Sequence, residues 1–273
     1  MMRLLQGLIF DVDGTMADTE DVHRQAFNLT FRRFDLPWEW TPERYEQLLV
    51  TSGGKERITI FAREATPALA QHPDFPNFVR KLHLAKTACY ADLLQSSRIR
   101  LRGGVERLLH EARDHGVMLG IATSSAWSNL KTLLDNNLPR EWPSWFAAIA
   151  TSDSVEDKKP SPAVYQAVLR RLALAPNRCV AFEDTENGLN AARAAHLTTV
   201  ITAHHFTYRH TFADAAAVLD GLGEPDRPVS VIRGAACERR FVDLAYVEHL
   251  LKPNPGSPRC WEQRPLAFAQ HTI

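Results

Sequence analysis

An apolar run, Leu8-Ile9-Phe10, passes directly into Asp11-Val12-Asp13-Gly14-Thr15, and this junction constrains the fold more than any other stretch of the chain. The run reads as the end of a first strand over residues 4–11. Side chains two apart on a strand share a face, so continued extension would put both acids on one side. Gly14 favours a turn instead, with both carboxylates crowning the strand end. In open parallel sheets the carboxyl ends of the strands hold the ligand. Two acids at such an edge suit a metal ion, a nucleophile and an acid/base group.

From residue 19 the pattern turns helical: Val22, Ala26, Phe27, Leu29, Thr30 and Phe34 recur at helical spacing. Further helices are expected over 42–50, 55–64 and 77–94. Gly103-Gly104 then opens a helix to 115, followed by a strand at 117–122 and a helix at 128–136. A strand at 147–150 and a helix at 161–172 follow, with Pro162 where a first helical turn accepts it. A strand at 179–182, a helix at 189–195 and a strand at 198–201 complete the series. Such alternation predicts an α/β fold, a parallel sheet with helices on both faces. The first strand belongs to that sheet. Residues 19–97 therefore read as an inserted helical cap over its carboxyl ends, where lids belong. The core is expected at 1–18 and 98–220. Residues 221–273 read as a C-terminal extension, with a strand at 229–232, a helix at 241–251 and a loose tail from 252.

The chain has 273 residues, 45% of them hydrophobic, enough for a proper core. Lys+Arg and Asp+Glu both number 32, and this neutral balance argues against a nucleic-acid or anionic-membrane partner. No apolar stretch approaches a membrane span, and the first ten residues are too short for a signal peptide. Cys89, Cys179, Cys237 and Cys260 form no CxxC motif and read as reduced structural cysteines of a cytoplasmic protein.

Every later strand also ends in polar chemistry. Thr123-Ser124-Ser125 follows 117–122, Lys158-Lys159-Pro160 follows 147–150 after a loop, and Glu183-Asp184 follows 179–182. A parallel sheet gathers these ends at one edge. Carboxylates, hydroxyls and a lysine together are what phosphoryl transfer requires. In this combination and order the motifs resemble those of the haloacid dehalogenase (HAD) superfamily of phosphohydrolases, over about residues 1–220. The helical insertion resembles the subfamily that includes beta-phosphoglucomutase. The stretches 18–27 (DTEDVHRQAF), 51–58 (TSGGKERI), 83–86 (HLAK) and 156–165 (EDKKPSPAVY) are most similar to the CbbY family.

The resemblance implies a HAD-like Rossmannoid core and Mg²⁺-dependent phosphatase activity. It implies Asp11 as the nucleophile and Asp13 as the acid/base. Mg²⁺ would be held by Asp11, the main-chain carbonyl of Asp13 and Asp184, with Glu183 supporting through water. Thr123 and Ser124 would bind phosphoryl oxygens, and Lys159 would offset their charge. The CbbY family further implies hydrolysis of xylulose-1,5-bisphosphate, an inhibitory by-product of Rubisco in the Calvin cycle. True dehalogenases and phosphonatases lack the second acid, and Asp13 disfavours both.

A second phosphate needs its own cationic site. Ser52-Gly53-Gly54 precedes a helix, and glycine-containing turns at helix N-termini present N–H groups to anions. Lys55 and Arg57 add charge. Glu20 and His23 at the start of the cap, Lys86 on a later cap helix, and Ser125 and Asn129 beside the second motif complete the candidate substrate contacts. The expected partner is a small sugar phosphate or bisphosphate, and a monomer is expected. His204, His205 and His210 form a polar cluster, but no acid or cysteine completes a metal set, and they read as structural or surface residues. Trp38, Trp40, Trp142 and Trp145 are expected to pack, and Trp127 to sit on the cleft rim or in the core. Two other functions stay open. One is a sugar-phosphate mutase or broader phosphatase; the mutase relative carries a lysine three positions after the hydroxyl of the second motif, where this chain has Ala126. The other, ranked last, is a non-catalytic binding protein.

Overall fold

The first strand, β1 (Gly7–Phe10), is buried on both faces and lies at the centre of a seven-stranded sheet. The computed structural model describes residues 4–51, 53–96 and 99–252. After β1 come five helices: α1 (Glu20–Arg33), α2 (Pro42–Leu49), α3 (Gly54–Ala65), the short α4 (Pro67–Ala70) and α5 (Phe75–Ser96). The chain then alternates through α6 (Val105–Asp114), β2 (Met118–Ala122), α7 (Trp127–Asp135), β3 (Phe146–Ala150), α8 (Ala163–Leu172), β4 (Cys179–Glu183), α9 (Glu186–Ala194) and β5 (Thr198–Thr202). It closes with β6 (Ala217–Leu219), β7 (Val231–Gly234) and α10 (Leu244–Leu250). The strand order is β3-β2-β1-β4-β5-β6-β7, all neighbours parallel except β6 and β7.

The two faces of the sheet follow from the period of a strand. Leu8, Phe10, Leu119, Ile121, Val180 and Phe182 enter one apolar cluster, with α6 and α7. Ile9, Cys179 and Ala181 enter the other, with Val164, Tyr165 and Val168 of α8. A sheet buried on both faces reads as continuous apolar runs, which is why these strands show no polar alternation. Phe10 stacks on Phe182 at 4.6 Å. Each such fully buried side chain contributes about 1.5–3 kcal/mol by leaving water.

The inserted helices build their own core from Phe27, Phe31, Trp38, Trp40, Tyr45, Leu48, Ile58 and Leu82. Thr41 caps α2 by accepting from the Arg44 N–H at 3.2 Å, with Pro42 in the first turn. Asn28 and the main chain of Trp40 exchange two hydrogen bonds, 2.9 and 2.8 Å, which fixes the α1–α2 connection. The two linkers to the cap meet in an antiparallel bridge between Ala17 and Leu101.

The helix expected at 189–195 starts earlier, at Glu186, because Thr185 caps it by accepting from the Gly188 N–H. Three-residue β6 was missed, being too short to show a period. Past Asp220 the strand expected at 229–232 and the helix expected at 241–251 are present as β7 and α10, and both pack against the core. β7 pairs with β6, and Val242, Leu244, Tyr246 and Val247 are buried in the main cluster. The Glu248 carboxylate accepts from the Leu4 N–H at 2.9 Å, tying α10 to the segment that leads into β1. The expected tail lies outside the described residues from 253 onward. Cys89, Cys179 and Cys237 are free thiols; Cys260 lies outside the described residues. Among the described residues no helix is long and apolar enough to cross a membrane.

Candidate active site

Parallel pairing in register brings the strand ends to one edge. The Asp11 N–H continues the ladder by donating to Phe182 O at 3.0 Å, and the Thr123 N–H donates to Ala150 O at 3.0 Å. Asp11, Glu183 and Asp184 are all buried, and oxygens from the three lie within 4.8 Å of one another. The Lys159 Nζ sits between two of them, 2.5 Å from Asp11 Oδ1 and 2.5 Å from Glu183 Oε1. Tyr165 of α8 donates to the same Glu183 oxygen at 2.6 Å. Asp184 accepts from Thr15 Oγ1 at 3.2 Å and contacts His204 Nε2 at 2.9 Å.

Burial raises the Asp11 pKa well above the carboxylate range, with Glu183 and Asp184 adding to the effect and Lys159 opposing it. Burial and the neighbouring Glu183 likewise raise Asp184 against the pull of His204. Burial alone would lower the Lys159 pKa, but Asp11 and Glu183 outweigh it and keep the amine charged. Three crowded carboxylates with one lysine leave uncompensated negative charge. The donor set is all oxygen, which suits a hard divalent cation.

Two glycines make room for this cluster. At Gly14 φ is +81°, and a side chain there would strike the Asp184 carboxylate. At Gly188 a Cβ would land on the Glu183 carboxylate. That carboxylate cannot yield easily, being held by Lys159 and Tyr165. Gly188→Ala is therefore expected to weaken divalent-cation binding by about tenfold or more, measured by titrating Mn²⁺ into metal-free protein. Unchanged Mn²⁺ affinity would show that Glu183 has freedom the packing denies.

Asp13 stands apart from the acidic cluster. Its Oδ1 accepts from Thr19 Oγ1 at 2.7 Å and Tyr90 OH at 3.1 Å and contacts His23 Nε2 at 3.3 Å; Ser125 Oγ donates to Oδ2. Burial would raise its pKa, but the bonds from His23, Ser125 and Thr19 win and hold it well below the usual range. The Lys86 Nζ is 2.5 Å from His23 Nδ1 and lies over the rings of Phe27 and Tyr90 at 4.7 and 4.8 Å. Burial, with Arg57 adding and Glu20 opposing, brings Lys86 down to about 7. Cap residues thus reach across the cleft to hold the second aspartate of the motif.

A cavity of about 260 Å³ separates cap from core. Asp11, Asp13, Thr123, Ser124, Ser125, Asn129, Lys159, Glu183 and Asp184 line it from below; Glu20, His23, Gly53, Gly54, Arg57 and Lys86 line it from above. Asn129 Oδ1 is buried there with no partner among the described residues. Arg57 donates from Nε to Thr51 O at 2.9 Å and from Nη1 to Tyr45 OH at 3.2 Å. Tyr45 in turn donates to Glu20 Oε2 at 2.7 Å. A larger hollow, about 750 Å³, opens beyond the Gly14 turn, but it contains neither motif aspartate nor Lys159.

Not every expectation holds. Lys55 is exposed and does not line the cleft, whereas Lys158 and His83, not named as substrate contacts, do. Ser52 lies outside the described residues. The expectation for Asp13 named its main-chain carbonyl; its carboxylate brings no oxygen to the acidic cluster. His204 does meet an acid, Asp184, at 2.9 Å, but it is not part of the buried acidic grouping that could hold a metal. Trp127 is 41% exposed and lies near Trp142, outside the residues that line the cleft. Arg102 was missed: its guanidinium donates to the carbonyls of Gly14, Thr202, Ala203 and Asp220, bracing the turn after the motif. Tyr45, Tyr90 and Tyr165 were missed as well. Each sits on the apolar face of a helix, and nothing local marks its hydroxyl as functional.

The sheet order, the helical insertion and this cluster define a phosphatase of the haloacid dehalogenase type. The pattern of the haloacid dehalogenase-like hydrolases matches residues 8–202, and the chain belongs to that family. Within it the chain falls in the CbbY family. It is 43% identical to the plasmid-borne protein CbbY of Cupriavidus necator over 242 residues, 88% of this chain and 94% of that one. The crystal structure of CbbY from Rhodobacter sphaeroides in complex with phosphate superposes with TM-score 0.72 at 39% identity, covering 80% of this chain and 94% of that one. A mutant of the same protein in complex with xylulose-(1,5)bisphosphate gives 0.73 at 38% identity, with the same coverage.

Proposed function

We propose that the protein is a Mg²⁺-dependent sugar-bisphosphate phosphatase acting through an aspartyl phosphate, with xylulose-1,5-bisphosphate as its substrate. The observation that carries this is the pairing of two charge sites across one cleft: the Asp11–Lys159–Glu183–Asp184 cluster below and cations with a helix N-terminus above. The relative bound to the same bisphosphate supports the substrate assignment.

Asp11, Glu183 and Asp184 would hold Mg²⁺, which when bound offsets carboxylate charge and polarises a phosphoryl oxygen. Asp11 attacks phosphorus, and its oxygen–phosphorus bond forms as the bond to the sugar oxygen breaks. Asp13 gives that oxygen its proton, then takes a proton from the water that attacks the aspartyl phosphate. Thr123 and Ser124 hold phosphoryl oxygens, and Lys159 offsets their charge. Asp13 is ionised in the arrangement observed. It can serve as an acid only when the leaving oxygen displaces some of its present partners, all of which come from the cap side or Ser125.

The distal phosphate falls to Gly53-Gly54 at the start of α3 and to Arg57, whose Nη2 makes no hydrogen bond to a described residue. Lys158 and His83 add to the same wall. Loss of one charge-assisted contact costs about 1.5–3 kcal/mol, or roughly ten- to over a hundredfold in kcat/KM. Arg57→Ala should impose that loss on the bisphosphate and far less on p-nitrophenyl phosphate. Lys55→Ala, altering an exposed residue, should change little. Asp13→Asn should damage both substrates. Equal losses on both substrates in Arg57→Ala would move the broad sugar-phosphate phosphatase ahead.

A further inference from the structure

One core loop reaches into the cap. It starts where Ala203 N–H donates to Leu219 O at 2.8 Å and turns tightly, with the Thr207 and Tyr208 N–H groups donating to His204 O at 2.9 and 2.8 Å. Thr207 is fully buried, and its hydroxyl accepts from the His204 N–H at 3.2 Å. The turn throws two side chains in different directions. His204 goes down to the core, its Nε2 2.9 Å from Asp184 Oδ2. Phe206 goes up and is only 5% exposed, packed within the aromatic cluster of the cap. The two are joined directly, because the Phe206 N–H donates to His204 Nδ1 at 3.3 Å.

Above Phe206 lies Tyr45, edge to face at 5.6 Å. Tyr45 is fully buried and does not face the cleft. Its hydroxyl donates to Glu20 and accepts from Arg57, both of which do. A continuous chain of contacts therefore runs from an acid of the cluster, through His204, Phe206 and Tyr45, to two cap residues facing substrate.

We infer that Phe206 and Tyr45 are positioning residues that set substrate specificity: the loop clasps the cap at a fixed height above the acidic cluster, and Tyr45 holds Glu20 and Arg57 in place for the far end of the substrate. The clasp itself needs no particular substrate. Its effect on specificity rests on the bisphosphate reading above.

The test compares wild type, Phe206→Ala, Phe206→Leu and Tyr45→Phe in two assays. Hydrogen exchange without substrate reads the clasp. Phe206→Ala should speed exchange in residues 42–65 by about tenfold or more while the strands β1–β5 keep wild-type protection. Kinetics reads the positioning. Phe206→Ala should lower kcat/KM for xylulose-1,5-bisphosphate by roughly ten- to a hundredfold and leave p-nitrophenyl phosphate nearly unaffected, because that ester does not reach Glu20 or Arg57. Phe206→Leu, keeping an apolar plug, should recover most of both losses. Tyr45→Phe should reproduce the kinetic loss with wild-type exchange. Unchanged exchange in residues 42–65 overturns the clasp, and so does a loss of protection shared with the strands. Equal loss on both substrates, or a fully active Tyr45→Phe, overturns the positioning role. Should Phe206→Ala not fold, Phe206→Leu and Tyr45→Phe decide the matter. If wild type does not hydrolyse the bisphosphate, the substrate assignment falls, and the exchange assay still decides the clasp.

Discussion

Asp11→Asn is expected to lose essentially all turnover, on the order of 10⁴-fold or more, while folding at least as well as wild type. The rate loss follows from chemistry: an amide oxygen cannot form and release the aspartyl phosphate. The unchanged fold follows from packing. Asparagine has the same shape and keeps an acceptor for Lys159, whose Nζ lies 2.5 Å from Asp11 Oδ1. It also removes one of three crowded negative charges. Because the folded pKa of Asp11 is raised, its carboxylate contributes stability at low pH that is lost as pH rises through the folded value. Without metal, Asp11→Asn should therefore unfold at an equal or higher temperature than wild type at neutral pH. Beryllium fluoride should bind wild type and not the variant. Substantial turnover by purified, folded Asp11→Asn would end the nucleophile assignment.

Lys159→Met is expected to hurt both stability and rate. Lys159 is 5% exposed and neutralises Asp11 and Glu183 together. Removing one partner of a buried ion pair strands the others, typically at a cost of about 3–5 kcal/mol. For a chain of this size that lowers the melting temperature by roughly 6–20 °C. Mg²⁺ should restore part of the loss, since a bound cation compensates the same carboxylates. It should not restore rate, because the charge of the transferring phosphoryl group would still lack its lysine; a fall of about 10²–10³ in kcat is expected. Thermal unfolding in chelator and in Mg²⁺, beside steady-state kinetics, separates these effects. An unchanged melting temperature in chelator would mean that Lys159 is not the charge partner its geometry implies.

The residues that could be read in the sequence share one property. Asp11, Thr123, Glu183 and Asp184 lie at or just beyond strand ends, and Lys159 in the loop that follows β3; parallel topology sends strand ends and the loops after them to one edge. Hydrophobic runs identified β1 to β5, because strands covered on both faces are mostly apolar; the edge strand β3 has one exposed residue, Ala147. Where that pressure weakened, so did the reading. β6 is three residues long, and β7 is half-exposed or exposed along its length, so neither shows a period. The packing of residues 222–251 against α6 and the sheet rests on single buried positions such as Val242 and Val247, which carry no local pattern.

The sequence by itself determined the α/β core, the helical insertion and the acidic cluster with its lysine, because each rests on a local period or on topology. Only the tertiary structure decided which polar side chains complete the site. Lys55 and Arg57 lie two apart on α3, and positions two apart on a helix do not share a face. Arg57 lines the cleft and Lys55 stands in solvent. Tyr165 meets Glu183 across 18 residues, His204 meets Asp184 across 20, and Tyr90 meets Asp13 across 77. No sequence pattern records such meetings, because they are made by helices and loops packing against the sheet rather than by the strands' own geometry.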